Sequence, residues 1–193
     1  MWSSPRHPHH HVPAPCARWM ARCAEQDLRW AIALHRTAAR PGVVTLLVAA
    51  SRLGDGVVWY LAIAALALIG LFGGPRAWVC GAEMLAVGAL NLAIYWCVKH
   101  VVGRQRPFVD CPDIHACTRP LDPFSFPSGH TLHAVAFGMV LSHHYPALSL
   151  LLWSYAGVVA ASRVVLGLHY PSDVLAGAAT GFLTASAVLA LPY

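Results

Sequence analysis

Apolar residues fall in long blocks separated by short polar breaks. Five blocks, roughly 57–72, 77–98, 128–144, 148–168 and 174–191, carry almost no charge. A helix needs about 20 residues to cross a bilayer, so the first and third blocks read as tilted or set in a thinned region. Within lipid a segment must satisfy its own backbone polar groups, which makes these blocks helices. The expected fold class is therefore an all-α integral membrane bundle of about five transmembrane helices. Its linkers are Gly73-Gly74-Pro75-Arg76, a long loop over 99–127, His143 to Ala147, and His169 to Asp173.

The pattern changes ahead of the first block. Over 25–40, Leu28, Ile32 and Leu34 recur at helical spacing among Arg29, His35 and Arg36, which predicts an amphipathic helix lying in the membrane interface. Pro41 ends it, and Val43 to Ala50 is apolar but too short to cross. Arg52 and the turn Gly54-Asp55-Gly56 close the segment, with Asp55 read as a helix cap. Residues 1–24 are rich in proline, histidine and arginine and read as a disordered tail with no signal-peptide core. His7, His9, His10 and His11 read as solvated side chains of that tail. The expected division is a tail over 1–24, an interfacial segment over 25–53 and a membrane domain over 54–193.

Composition sharpens this reading. Of 193 residues, 58% are hydrophobic and 11% charged, and the mean hydropathy is +0.56. A soluble domain carries about 25% charged residues. The net charge of +5 comes with a single lysine and no basic stripe interleaved with aromatics, so a nucleic-acid partner is not expected. Cationic charge here fits loop orientation, anionic headgroups or an anionic substrate. None of the six cysteines forms a Cys-x2-Cys pair, so no zinc site is predicted. Cys111 and Cys117 share a polar loop and could pair if that loop faces an oxidising compartment.

The few titratable residues concentrate at three places: Lys99 and Arg106-Pro107 after the second block, Ser128-Gly129-His130 opening the third, and Arg163, His169 and Asp173 around the end of the fourth. Counting crossings puts all three on one membrane face. The Pro127-Ser128-Gly129 junction reads as a helix start, with Ser128 able to cap and Gly129 letting an anion approach the free N–H groups of the first turn. Several cations meeting a helix N-terminus predict a phosphate ligand. Other polar residues read as ordinary parts of the bundle. Arg104 and Arg119 are expected to be solvated or headgroup-facing, and His100 and His115 to be interfacial. His133 is expected in a core or supporting role, Glu83 in a structural hydrogen bond, and Asn91 and Tyr95 along the pocket leading to Lys99.

Lys-x6-Arg-Pro at 99–107, Pro-Ser-Gly-His at 127–130 and Ser-Arg-x5-His-x3-Asp at 162–173 resemble the three-part signature of the type 2 phosphatidic acid phosphatase family, whose superfamily includes vanadium haloperoxidases and glucose-6-phosphatase. The resemblance spans about 55–191. It implies a membrane phosphatase in which His169 attacks phosphorus to form a phosphohistidine, Asp173 orients His169, and His130 protonates the leaving group and then activates water. Lys99, Arg106 and Arg163, with Ser128 and the Gly129 N–H, would hold the phosphoryl oxygens without metal or other cofactor. The expected substrate is a lipid phosphate or diphosphate held among membrane lipids: phosphatidic acid, phosphatidylglycerophosphate or an isoprenyl diphosphate. The loop 107–126 is a candidate lid. A phospholipid-binding scaffold without turnover and a haloperoxidase-like enzyme remain as alternatives. The resemblance favours a bacterial inner membrane with the site on the periplasmic face, whereas the arginine distribution points that face to the cytoplasm.

Overall fold

The structure is a computed structural model that describes residues 14–192. The tail histidines at 7–11 lie outside the described residues. Among the described residues the α-helices are α1 (Ala14–His35), α2 (Pro41–Leu53), α3 (Gly56–Leu71), α4 (Pro75–Val102), the short α5 (Pro107–Asp110), α6 (Gly129–His144), α7 (Ser149–Val165) and α8 (Pro171–Leu189), with a long loop between α5 and α6. One expectation shifts at once: helix α1 starts at Ala14, inside the stretch read as a disordered tail, and runs unbroken into the amphipathic segment.

Helix ends fall where local chemistry requires. Pro41, Pro75, Pro107 and Pro171 each occupy the first turn of a helix, where a missing N–H costs nothing. Gly103, at a φ of +58°, ends α4 in the left-handed conformation.

The stretch Pro75–Asp110, the stretch Pro146–Val165 and helix α8 are each long and apolar enough to cross a membrane, and α2 with α3, bent by 46° at their junction, make a fourth candidate. Large side chains such as Leu46, Leu71, Val101, Leu150 and Leu175 stand 70% or more exposed. A folded protein in water does not present apolar surface on this scale, so the bundle is an integral membrane protein. Helix α6, of 16 residues, is different: Thr131, Leu132 and Ala134 to Gly138 are all buried, because α4, α7 and α8 surround it. It is the axis of the bundle rather than a lipid-facing wall.

The closest crossing is α6 against α8. A β-carbon on Gly181 would stand 2.3 Å from the Leu132 carbonyl oxygen, and one on Gly177 would stand 2.5 Å from that of Ser128. These two glycines, one helical turn apart, bring the backbones together and set the start of α6 beside the start of α8. The Ser128 N–H donates to the Asp173 carbonyl at 3.0 Å across that junction. At the far end Glu83 of α4 pairs with His144 Nε2 at 2.6 Å, which is the structural partner expected for a buried carboxylate.

Helix α1 lies over α5, the loop that follows it and the start of α8. Its Leu28, Ala31 and Ile32 pack on Phe108, Cys111, Ile114 and Tyr170. His35 Nδ1 sits 2.8 Å from the Val165 carbonyl, and its Nε2 accepts the His115 N–H at 3.1 Å. Cys111 and Cys117 are free thiols, so no disulfide closes this loop.

Candidate active site

The end of α4, the start of α6, the end of α7 and the start of α8 meet at one end of the bundle, as the crossing count predicts. The turn after α7 makes this possible. Gly167 takes a φ of +74°, and both the Leu168 and His169 N–H groups return to the Arg163 carbonyl at 3.1 Å. The chain thereby folds His169 back over Arg163.

His169 is 2% exposed. Its Nε2 is 3.3 Å from Arg106 Nη1. Burial, then the positive charges of Arg163, Arg106 and Lys99, push its pKa well below 6.5, so the ring is neutral near pH 7. The bond expected between His169 and Asp173 is not made: Nδ1 and Oδ2 stand 3.6 Å apart, and Nδ1 has no partner. Asp173 is engaged in holding the start of α8. Its Oδ2 accepts the Tyr170 N–H at 2.8 Å and its Oδ1 accepts Arg104 at 2.8 Å.

Lys99 and Arg106 are not free cations. Both face Asp122, in the loop between α5 and α6. Oδ1 of Asp122 accepts Lys99 Nζ, Arg106 Nη2 at 3.2 Å and the Phe124 N–H at 3.0 Å, while Oδ2 accepts the Tyr95 hydroxyl at 2.6 Å. Lys99 also donates to the Phe124 carbonyl at 2.7 Å, and Arg106 to the carbonyls of Asp122 and Leu168 at 3.0 and 2.8 Å. Burial alone would raise the Asp122 carboxyl, but the hydrogen bonds from Lys99 and Tyr95 outweigh it and hold it below its usual range. No motif or spacing in the sequence marks this residue, although it is the only acid between Asp113 and Asp173. Arg163 differs: it is buried, donates to Ser51 Oγ and leaves its Nε without a partner.

At the start of α6 two details depart from expectation. Ser128 occupies the N-cap position, but its Oγ pairs with Thr131 Oγ1 at 3.0 Å instead of capping. The space a side chain on Gly129 would need is filled by Tyr95, whose ring would lie 2.6 Å from a β-carbon there, so this glycine serves aromatic packing first. His130 pairs through Nε2 with Asp55 Oδ1 at 2.6 Å, and Asp55, at the N-cap position of α3 as expected, makes no side-chain capping bond there. Sequence spacing gave no hint of that pair, since 75 positions separate its members. His133 Nδ1 meets the Gly129 carbonyl at 2.9 Å, a supporting role. Asn91 lies fully buried against Thr184 and so does not line the pocket, whereas Tyr95 does. Arg104 is not solvated; it bridges Asp173 and Asp27. Arg119 is exposed.

Two cavities open on His130. One, of about 200 Å³, is polar and lined by Ser51, Arg52, Arg119 and Arg163. The other, of about 370 Å³, runs between α3, α4 and α6 and is lined largely by apolar side chains such as Trp59, Ile63, Leu92 and Phe137. The arrangement thus joins a neutral buried imidazole, a second imidazole paired with a carboxylate, three cations and an apolar groove. That set suits transfer of a phosphoryl group from an amphiphile. Among the described residues no cluster of three or more His, Cys, Asp or Glu could hold a metal ion.

The chain is similar to several known proteins. A decaprenylphosphoryl-5-phosphoribose phosphatase of Mycolicibacterium smegmatis is 37% identical over 145 residues, covering 72% of this chain and 74% of that protein. Phosphatidylglycerophosphatase B of Bacillus subtilis is 34% identical over 125 residues, covering 59% and 58%. Among solved structures, the transmembrane PAP2 type phosphatidylglycerolphosphate phosphatase from Bacillus subtilis superposes with a TM-score of 0.69 at 26% identity, covering 83% of each chain. LpxE of Aquifex aeolicus gives 0.71 at 25% identity, covering 83% of this chain and 93% of that one. Residues 76–193, which carry all three motifs, match the PAP2 superfamily, so the chain belongs to that family.

Proposed function

We propose that this protein is a membrane phosphatase that hydrolyses a lipid phosphate or diphosphate through a phosphohistidine on His169. The observation that carries the proposal is that His130 lines both an apolar groove of about 370 Å³ and a polar cavity of about 200 Å³ shared with Arg163, while Arg106 lies 3.3 Å from the buried His169. The relatives' names support the substrate class: a prenyl-linked phosphoribose phosphate in one, phosphatidylglycerophosphate in another.

Arg106 turns from His169 Nε2 to the phosphoryl oxygens when substrate enters, freeing the nitrogen lone pair to attack phosphorus. The bond from phosphorus to the leaving oxygen breaks, and His130, which takes up a proton beside Asp55 when the anionic substrate offsets Arg163, delivers that proton to the leaving oxygen. His169 becomes cationic as its nitrogen bonds phosphorus, and Asp173 stabilises that charge once Nδ1–H closes on Oδ2. A water molecule then gives its proton to His130 and its oxygen to phosphorus, and the P–N bond pair returns to His169. Arg163 and the displaced Lys99 and Arg106 offset charge on the phosphoryl oxygens, and the reaction needs no metal. Asp55 sets the orientation of His130.

A panel of phosphatidic acid, phosphatidylglycerophosphate and farnesyl diphosphate, assayed on detergent-purified protein with EDTA, tests this. Turnover that survives EDTA and falls at least about a thousandfold in His169→Ala is expected. Undiminished turnover in His169→Ala refutes the mechanism, and loss with EDTA refutes metal independence. The active-site face is proposed to look to the periplasm of a bacterial inner membrane. In a single-cysteine variant retaining Cys117, an impermeant maleimide should label intact cells; labelling only after permeabilisation reverses the orientation.

A further inference from the structure

Helix α1 lies wholly ahead of the residues matched to the family, yet one of its side chains reaches into the catalytic end. Asp173 is fully buried, and a buried carboxylate needs a paired cation. Apart from His169, the only basic group within 4.0 Å of it among the described residues is Arg104. Arg104 is itself held from the other side: Nη2 donates to Asp27 Oδ2 at 2.7 Å, while Nη1 donates to Asp173 Oδ1 at 2.8 Å and to Ser172 Oγ at 2.7 Å. The guanidinium lies 3.9 Å over the Tyr170 ring. Asp27 also accepts the Ser172 N–H at 3.0 Å and the Ser172 hydroxyl. One carboxylate of α1 thus fixes both the start of α8 and the plane of the arginine that faces Asp173.

We propose that Asp27 is a positioning residue, acting through Arg104 to hold Asp173 for His169; this rests on the roles of His169 and Asp173 given above. Arg104 is a quarter exposed on its side chain, so without Asp27 its free arm turns to solvent and the fork on Asp173 loosens. With Arg104 in place, Oδ1 is committed and Oδ2 remains the oxygen facing His169 Nδ1 at 3.6 Å. A drift of Asp173 weakens support for the cationic ring that forms on phosphorylation, which lowers kcat. Asp27 bonds to none of Lys99, Arg106 and Arg163, so KM is unaffected. The outer stripe of α1, with Trp19, Trp30 and Leu34 exposed, suits the lipid interface, so the brace is anchored where the substrate resides.

The test uses the full chain in detergent with the fastest substrate of the panel. Asp27→Asn is expected to lower kcat by about tenfold, the scale of one charge-assisted hydrogen bond, with KM unchanged. Leu28→Ala loosens the same helix without touching the chain of charges; it should lower the melting midpoint and leave kcat within about twofold. Arg104→Lys keeps a cation but cannot hold both carboxylates, and it provides a second route should Asp27→Asn not fold. It should show the same kcat-only loss, and the double variant should lose no more than the worse single variant. Asp27→Asn or Arg104→Lys with wild-type kcat overturns the proposal, as does a double variant whose loss is the product of the two. An equal kcat loss in Leu28→Ala also overturns it, since docking and not charge would then matter. His169→Ala separates the two readings: inactive His169→Ala beside normal Asp27→Asn defeats the positioning role alone, whereas active His169→Ala defeats both.

Discussion

Asp122 occupies, with one carboxylate, the donors that a phosphoryl group would use on Lys99 and Arg106. An anionic substrate must therefore displace it, and so must inorganic phosphate released as product. Replacing it with asparagine removes the competing charge. Asp122→Asn should tighten inhibition by inorganic phosphate by about tenfold, read from the dependence of turnover on added phosphate; unchanged or weaker inhibition would show that Asp122 organises the cations instead of guarding them. His169 carries a second consequence. Its proton affinity is depressed by burial and by Arg163, Arg106 and Lys99, whereas in the unfolded chain it titrates near 6.5. Below that pH the unfolded chain gains a proton that the folded protein refuses, so stability falls as pH drops from about 6.5 toward 5. The melting midpoint of wild type should fall over this interval by more than that of His169→Gln, in which the group is absent; parallel curves would refute the link.

At the level of elements, the candidate active site depends on how closely α6 and α8 cross. The β-carbon that Gly181 lacks would lie 2.3 Å from a backbone carbonyl, which has no rotamer by which to yield. Gly181→Val should therefore force the two helices apart, costing about 1–3 kcal/mol by overpacking. The shift also moves Ser128–His130 from Asp173, so kcat should fall more steeply than stability alone explains, checked by kinetics and melting on one preparation. The long helices α3, α4, α7 and α8 are readable in the sequence from their apolar blocks, although Pro41, read as ending a helix, opens α2. Two features are not. The start of α1 at Ala14 was hidden by a composition that resembles a disordered tail, because the helix depends on packing its Leu28, Ala31 and Ile32 against the loop and on the lipid interface. The central place of α6 was also not evident, since a buried helix and a lipid-facing helix are both apolar.

For the whole molecule, the candidate active site sits at one end of the bundle, roofed by α1, with an apolar groove running between α3, α4 and α6. An amphiphile can keep its tail in that groove while its phosphate meets the cations. Leu92→Trp, which narrows the groove from α4 without touching the charged residues, should raise KM for a long-chain lipid phosphate by about tenfold. It should leave a short-chain analogue unaffected; equal effects on both would exclude the groove as the tail site.

The amino-acid sequence by itself determined the all-helical membrane class and the gathering of Lys99, Arg106, Ser128, Gly129, His130, Arg163, His169 and Asp173 at one end. Both follow from local rules: apolar runs of spanning length must be helices, and counting crossings orders their ends. Only the tertiary structure decided which groups those residues meet. The pairs Asp122 with Lys99, Asp55 with His130, and Asp27 with Arg104 join residues 23, 75 and 77 positions apart. No helical or turn periodicity links such distances. A buried charge takes whichever counter-charge packing brings to it, because leaving it unpaired costs more than any local preference supplies. That is why Asp55, Arg104 and Asp122 read as a cap, a solvated side chain and an unremarked loop acid until the helices were assembled around them.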